Sequence, residues 1–418
     1  MRGNFGPNGR NEGRSWAVPD LISVDDARAR VIAAARARGP LEPEEVALEA
    51  AAGRVLAEPA RAGHDVPPFD SSAMDGFALV AGEAGELEVV GEARAGHPFA
   101  GRVEPGRAVV ISTGAPVPEG ADAVIPVERT EAAGGERVRV PAVGAGANVR
   151  RAGEDLRAGD EVVRAGSVLG AAEVGVLASL GLGSVACARQ PRVALLVTGD
   201  ELASPGEPLG PGRIYGSNDY ALAAQAEGAG ALVVLRERVR DDARATRKAL
   251  ASAIEAAEMV VVSGGVSVGP HDHVKHALAE LGAHEEFWGL RLKPGKPCWF
   301  GTRGPVLVLG VPGNPVSAMV TFQLLGVPAL RALAGSDPAP ARASATLAVP
   351  VRRSPDREQA IRVRLREDGD GGRLAEPTGE QGSHRLTSML GADGLARIPA
   401  GEGELPAGGR VEVELLPR

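Results

Sequence analysis

Met259-Val260-Val261-Val262-Ser263-Gly264-Gly265-Val266-Ser267-Val268-Gly269 is a short apolar run that empties into a glycine-rich turn, and a helical stretch near 273–281 follows it. Four apolar residues bounded by a turn read as a buried strand. The same order recurs on both sides. VALLV (193–197) precedes Thr198-Gly199-Asp200-Glu201, ALVVL (231–235) precedes an Asp241-Asp242 pair, and VLVLG (306–310) precedes Val311-Pro312-Gly313-Asn314-Pro315. Helical stretches fall near 218–228, 242–257 and 315–333. This alternation predicts an α/β layer with a mostly parallel sheet. In such a sheet, ligands bind at the carboxyl ends of the strands.

Outward from this block, the texture changes. Residues 1–18 carry Gly, Asn, Arg and Pro with little apolar pattern and read as a disordered tail. Ser23 and Asp26 form a capping box, a helix follows over 24–38, and a second helix is expected over 48–57. Between about 60 and 145, Val-rich runs alternate with Gly and Pro turns, which predicts a β-rich domain. A helix returns at 171–180 and is expected to pack against the first helices, making the β-rich domain an insertion. Beyond Gly335-Ser336-Asp337-Pro338, short alternating strands predict a small β-barrel or sandwich. The expected domains are therefore 1–18 (tail), 19–58 with 146–188 (elongated, discontinuous), 59–145 (inserted, β-rich), 189–334 (α/β) and 335–418 (C-terminal β-barrel).

Composition narrows the function. With 418 residues the chain needs no disulfide or metal staple to fold. A net charge of −8 argues against a general nucleic-acid binder, because phosphate neutralisation dominates such affinity. The 2 cysteines, Cys187 and Cys298, exclude a disulfide framework. No apolar run approaches the roughly 20 residues of a membrane span. No apolar stretch follows the basic start as in a signal peptide, so a cytoplasmic location is expected. Of the 46 basic residues, all but Lys248, Lys275, Lys293 and Lys296 are Arg. Against that background the pair in Lys293-Pro294-Gly295-Lys296 stands out, because a compact ammonium is not replaced by a guanidinium.

Four loops follow strands of the α/β block: TGDE (198–201), SGGVSVG (263–269), KPGK (293–296) and the PGNP turn (312–315). Glycines let the backbone approach a ligand and leave N–H groups free for an oxyanion. Two lysines add point charges for phosphate or another tetrahedral oxyanion. The β-rich part carries Phe69–Phe77 (FDSSAMDGF) and Ser112–Asp122 (STGAPVPEGAD). Asn148–Asp155 (NVRRAGED) sets Arg150 and Arg151 for anions and Glu154 and Asp155 for a hard cation, or else forms a surface ion-pair cluster. His271, His273 and His276 lack the spacing and partners of a zinc site, and no P-loop or nucleophile elbow occurs.

Together, FDSSAMDGFA, ISTGAPVPEGADAVIPVE, NVRRAGEDLRAGD, ALLVTGDEL, GRIYGSND, VVSGGVSVGPHDH, FWGLRLKPGKP and GVPGNPVSA resemble, in order, the motifs of the molybdopterin molybdenumtransferases, the MoeA and gephyrin E-domain family. The resemblance covers residues 20–418. It implies a multidomain α/β plus β fold: an α/β molybdopterin-binding domain, an inserted β-rich domain, a small helical elongated domain and a C-terminal β-barrel. It implies insertion of molybdenum from molybdate into adenylated molybdopterin, with release of AMP and use of Mg²⁺. It also implies a homodimer whose active cleft is shared between subunits. Other molybdenum cofactor biosynthesis proteins are expected as partners, and neither nucleic acid nor membrane.

Carried over by position, the resemblance implies catalytic roles for Asp75, Thr113, Asp155, Glu201, Asp241, Asp272, Lys293 and Lys296. Glu201, Asp241 and Asp272 would hold Mg²⁺. Ser217, Asn218, Ser263, Gly264, Gly265, Ser267, Gly269, Pro312, Gly313, Asn314, Pro315 and Arg150 would bind the pterin nucleotide. Phe77, Gly216 and Gly289 depart from the usual family residues. Three alternatives stand beside this reading: a non-catalytic molybdopterin-binding scaffold, a molybdopterin adenylyltransferase, which is usually far shorter and lacks the insertion, and a tungsten-inserting homologue.

Overall fold

The structure is a computed structural model that describes residues 20–266, 273–369 and 371–417. The chain divides into two compact units, one of residues 44–187 and one of 188–418 with the segment before Glu44.

The larger unit is built on a sheet of six strands: β1 (Arg192–Thr198), β2 (Leu232–Val239), β3 (Met259–Ser263), β4 (His284–Trp288), β5 (Trp299–Arg303) and β6 (Val306–Val311). Their order is β2-β1-β3-β6-β5-β4. The first four run parallel, β5 runs against them, and β4, antiparallel to β5, runs in their direction. Both faces of β1, β3 and β6 are covered, which is why these three strands read as unbroken apolar runs rather than alternating ones. Val193, Leu195, Met259, Val261, Leu307 and Leu309 enter one core, with the N-terminal helix Val24–Ala37 and α1 (Asn218–Gly228). Ala194, Leu196, Val260, Val262, Val306 and Val308 enter the opposite core, under α2 (Ala243–Ala256) and α3 (His273–Glu280).

The Ser23 cap forms as expected: its hydroxyl accepts from Asp26 N at 3.1 Å and donates to the Asp26 carboxylate at 2.7 Å. This helix packs into the α/β core against the segment Pro315–Leu333. The helix Ala171–Ser179, expected to pack against both N-terminal helical segments, packs with Leu48 and Leu56 of the second and with Val163, whereas the first belongs to the larger unit. The helix expected at 48–57 is only a 3₁₀ turn, Leu48–Ala50. Gly53 (φ +80°) turns the chain, and Val55 and Leu56 then extend to pair with Val168 and Cys187.

Residues 315–333 form α4 (Pro315–Thr321), a π turn (Phe322–Gly326) and α5 (Val327–Leu333). Contrary to the sequence reading, this continuous helix is long and apolar enough to cross a membrane, but 83% of it is buried inside the protein. It is a core helix, and Phe322 folds over Gly326 where the helix widens.

The strands Arg342–Leu347, Glu358–Glu367, Arg373–Pro377, Gly394–Ile398 and Arg410–Leu415 close into a barrel, because Glu358–Glu367 pairs with both Arg373–Pro377 and Gly394–Ile398. Its interior holds Leu347, Val363, Ala375, Ala396, Ile398 and Val413. Leu292 and Lys293 add to the barrel in parallel beside Glu358 and Gln359, which ties the start of KPGK to this domain.

The unit of residues 44–187 carries a curled six-stranded sheet over 76–140. Gly76 sits at its closest approach, where a Cβ would strike the Ile125 carbonyl. The fold class is therefore the one expected: α/β plus β, with a C-terminal barrel.

Candidate active site

In the larger unit, three of the four loops meet at the carboxyl ends of the parallel strands. They line a cavity of about 640 Å³ with Thr198, Glu201, Ser217, Asn218, Ser263, Gly264, Gly265, Val266, Pro312, Gly313, Asn314 and Pro315. Asn218 opens α1 and is buried. Its Nδ2 donates to Ser263 Oγ at 2.8 Å and to the Gly313 carbonyl at 2.8 Å, and Ser263 Oγ donates to the Pro312 carbonyl at 3.2 Å. One amide thus fastens a helix start, a strand end and the PGNP turn. Its amide N–H groups serve the protein and not a ligand.

Gly264 (φ +89°) and Gly265 (φ +65°) form the turn after β3. A Cβ on Gly264 would come within 2.7 Å of Thr198 Oγ1, so the turn is pressed onto the end of β1. Only glycine meets both demands, a left-handed backbone and no side chain. The remainder of this loop, with Ser267, Gly269 and Asp272, lies outside the described residues.

Among the described residues, Glu201 is the one carboxylate lining this cavity. It folds back over Gly199, where a Cβ would lie 2.5 Å from Glu201 Oε2. Asp241 lines a separate pocket across the TGDE loop, with Asp200, Arg213 and Arg240. There Asp200 and Asp241 each accept a hydrogen bond from the other's backbone N–H at 3.3 Å. The structure thus does not bring Glu201 and Asp241 into one cavity. Among the described residues no group of three or more His, Cys, Asp or Glu side chains is placed to hold a metal ion.

Lys293 is exposed and Lys296 half-buried, and among the described residues neither enters an ion pair. Gly295 between them (φ +124°) packs against Leu292 and Thr321, whose buried hydroxyl has no hydrogen-bond partner among the described residues. Pro297, directly after Lys296, lines the cavity.

The sequence reading missed the barrel's contribution. His384 lines the cavity. Ser383 accepts from Asn314 Nδ2 at 3.2 Å, and its carbonyl accepts from Val316 N at 3.2 Å. Behind this loop lies Arg362, fully buried, with Nε donating to Ser388 Oγ at 3.1 Å and Nη2 to the Gly382 carbonyl at 3.4 Å. Its Nη1 has no partner among the described residues, and burial pushes the guanidinium pKa down to about 10. The signal for these residues was thin: an Arg inside an alternating strand reads as solvent-facing.

In the unit of residues 44–187, three further segments converge on one another. Asp75 Oδ1 accepts from Thr113 N at 2.6 Å, and the Thr113 backbone and side chain hold its carboxyl below the usual carboxylate range. Ser71-Ser72 pairs with Val149-Arg150. Asp70 accepts from Ala152 N at 2.9 Å and from Arg151 Nη1 at 2.6 Å, the backbone bond being the main cause of its lowered pKa. Arg151 is thereby committed to the structure, whereas Arg150 is exposed and in no ion pair among the described residues. Asp155 anchors through its own N–H to the Val66 carbonyl and is exposed. Cys298 is wholly buried, which pushes its thiol pKa up and leaves it inert.

Similarity to known proteins covers the whole of this architecture. Residues 22–181 match the MoeA N-terminal region (domain I and II), 194–332 a probable molybdopterin binding domain, and 344–416 the MoeA C-terminal region (domain IV). The molybdopterin molybdenumtransferase of Haemophilus influenzae is 34% identical over 400 residues, covering 94% of this chain and 98% of that protein. Molybdopterin molybdenumtransferase 2 of Mycobacterium tuberculosis is 36% identical over 386 residues, covering 89% of this chain and 94% of that protein. The crystal structure of a molybdopterin biosynthesis MoeA protein from Pyrococcus horikoshii superposes with a TM-score of 0.80 at 28% identity, over 95% of this chain and all of that one. The chain belongs to the MoeA family of molybdopterin molybdenumtransferases.

Proposed function

We propose that the protein is a molybdopterin molybdenumtransferase of molybdenum cofactor biosynthesis, which moves molybdenum from molybdate into adenylated molybdopterin and releases AMP. The observation that carries this reading is the 640 Å³ cavity at the strand ends, walled by the SGGV turn, the PGNP turn and TGDE. A glycine turn at the end of a parallel strand holds a phosphate through backbone N–H groups. Asn218 keeps that turn and the PGNP turn in register. Lys293 and Lys296 supply charge for an oxyanion near Pro297. Tetrahedral molybdate and tungstate are alike in this respect, and molybdenum is the metal the family name supports.

Mg²⁺ takes one or two carboxylates and completes its shell with phosphate oxygens and water. Glu201 fits that demand within the cavity, and Mg²⁺ bound there would neutralise phosphate charge. Asp272 is the other proposed ligand, whereas Asp241, in its separate pocket, is not placed to join Glu201 on one ion. Asp75, Thr113, Arg150 and Asp155, all in the unit of residues 44–187, would complete the cleft in a homodimer. A cytoplasmic location belongs to the same proposal.

The test mixes purified protein with adenylated molybdopterin, Mg²⁺ and molybdate, and follows AMP release and molybdenum incorporation. Wild type is expected to do both, and K296A to lose at least about 100-fold in rate at unchanged thermal midpoint. Ligand binding without turnover would establish the scaffold reading instead.

A further inference from the structure

We infer that Trp288 is a positioning residue for the anion-binding turn. Its indole holds the end of the SGGV turn through Nε1 and the first turn of α3 through its ring face. The inference rests on reading Ser263–Val266 as part of the phosphate cradle.

Trp288 ends β4 and is buried. Its Nε1 donates to the Val266 carbonyl at 2.9 Å in a buried bond. Lys275 Nζ lies 4.1 Å from the ring centroid, a cation–π distance. The neighbouring packing is equally tight: a Cβ on Gly310 would lie 2.5 Å from Val266 Cγ1, and one on Gly265 would lie 2.7 Å from Val274 Cγ2. Val266 is thus gripped at its side chain by β6 and at its carbonyl by Trp288.

This grip has an electrostatic consequence. Val266 lines the cavity, and a carbonyl oxygen turned toward an oxyanion repels it. By taking that carbonyl into the core, Trp288 keeps negative partial charge out of the cradle. The same ring then holds Lys275, so strand β4 sets the relation between the turn and the helix that follows it. Phenylalanine at 288 would keep most of the packing and lose the donor.

The experiment uses the full chain and AMP as the probe, with binding by titration calorimetry and steady-state kinetics on adenylated molybdopterin. W288F is expected to raise both the AMP Kd and the substrate KM about tenfold, the equivalent of one buried hydrogen bond, with kcat within about twofold. A purely structural role would lower the thermal midpoint without splitting KM from kcat. Unchanged Kd and KM in W288F, with wild type binding AMP, would overturn the inference and leave the proposed function standing. Failure of wild type to bind AMP would sink the cradle and the inference together. If W288F does not fold, K275M carries the test: about threefold weaker AMP binding is expected from loss of the cation, and an unchanged Kd refutes the role.

Discussion

At the scale of single residues, Asn218 concentrates the most consequence in one side chain. It lines the cavity where the ligand is expected, and its amide N–H groups bind Ser263 Oγ and the Gly313 carbonyl. N218A would leave buried acceptors without a donor, and a loss of about 2 kcal/mol is expected in urea denaturation. Activity should fall further than stability, because the SGGV and PGNP turns lose their common tether. Normal kcat/KM in N218A would show that the two turns hold their register without it. Lys296 is the opposite case. Its rarity made it conspicuous in sequence, while its surroundings, with the buried Thr321 hydroxyl beside Gly295, emerged only from the fold.

Among elements, the glycine turn after β3 separates backbone conformation from close approach. Gly264 and Gly304 both have positive φ, but a Cβ on Gly304 meets nothing within 4 Å, whereas one on Gly264 meets Thr198 at 2.7 Å. G304A is expected to cost about 1 kcal/mol for the strained backbone alone. G264A should cost about 2 kcal/mol more and abolish AMP binding, read by denaturation and calorimetry side by side. Equal effects would mean that the turn is not pressed against β1. The central parallel strands β1, β3 and β6 were legible because both of their faces are buried, which writes an unbroken apolar run. The short helix expected at 48–57 was not, because Gly53 and the pairing of Val55 and Leu56 with distant strands overrode local helical preference.

Across the whole molecule, charged side chains clamp segments far apart in sequence. Arg28 of the N-terminal helix donates to Glu414 near the C-terminus at 2.7 Å, and Arg397 binds the same carboxylate at 2.6 Å. Glu258, almost wholly buried, meets Arg38, Arg189 and Arg192. Burial alone would raise its pKa, but bonds from Arg192 and Arg189 outweigh it and hold the carboxyl at about 2, below its ordinary 4.5. A depressed folded-state pKa stabilises the protein above the unfolded value, and that stability is lost as pH falls. The thermal midpoint should therefore drop between about pH 4.5 and 2, by a loss of order 3 kcal/mol. E258Q should be less stable at pH 7 and show a flatter acid limb. An acid limb unchanged in E258Q would assign it to other carboxylates.

The sequence by itself determined the α/β block, its ligand edge, the closing β domain and the loops that carry the chemistry. Buried parallel strands and glycine turns are local patterns, and local patterns survive in one dimension. Tertiary structure alone decided which of those loops share a cavity. It set Glu201 and Asp241 on opposite sides of one loop, brought His384 and Ser383 in from the barrel, and gave Trp288 a carbonyl to hold. Each of these depends on contacts between residues distant in the chain, and no spacing or periodicity records them.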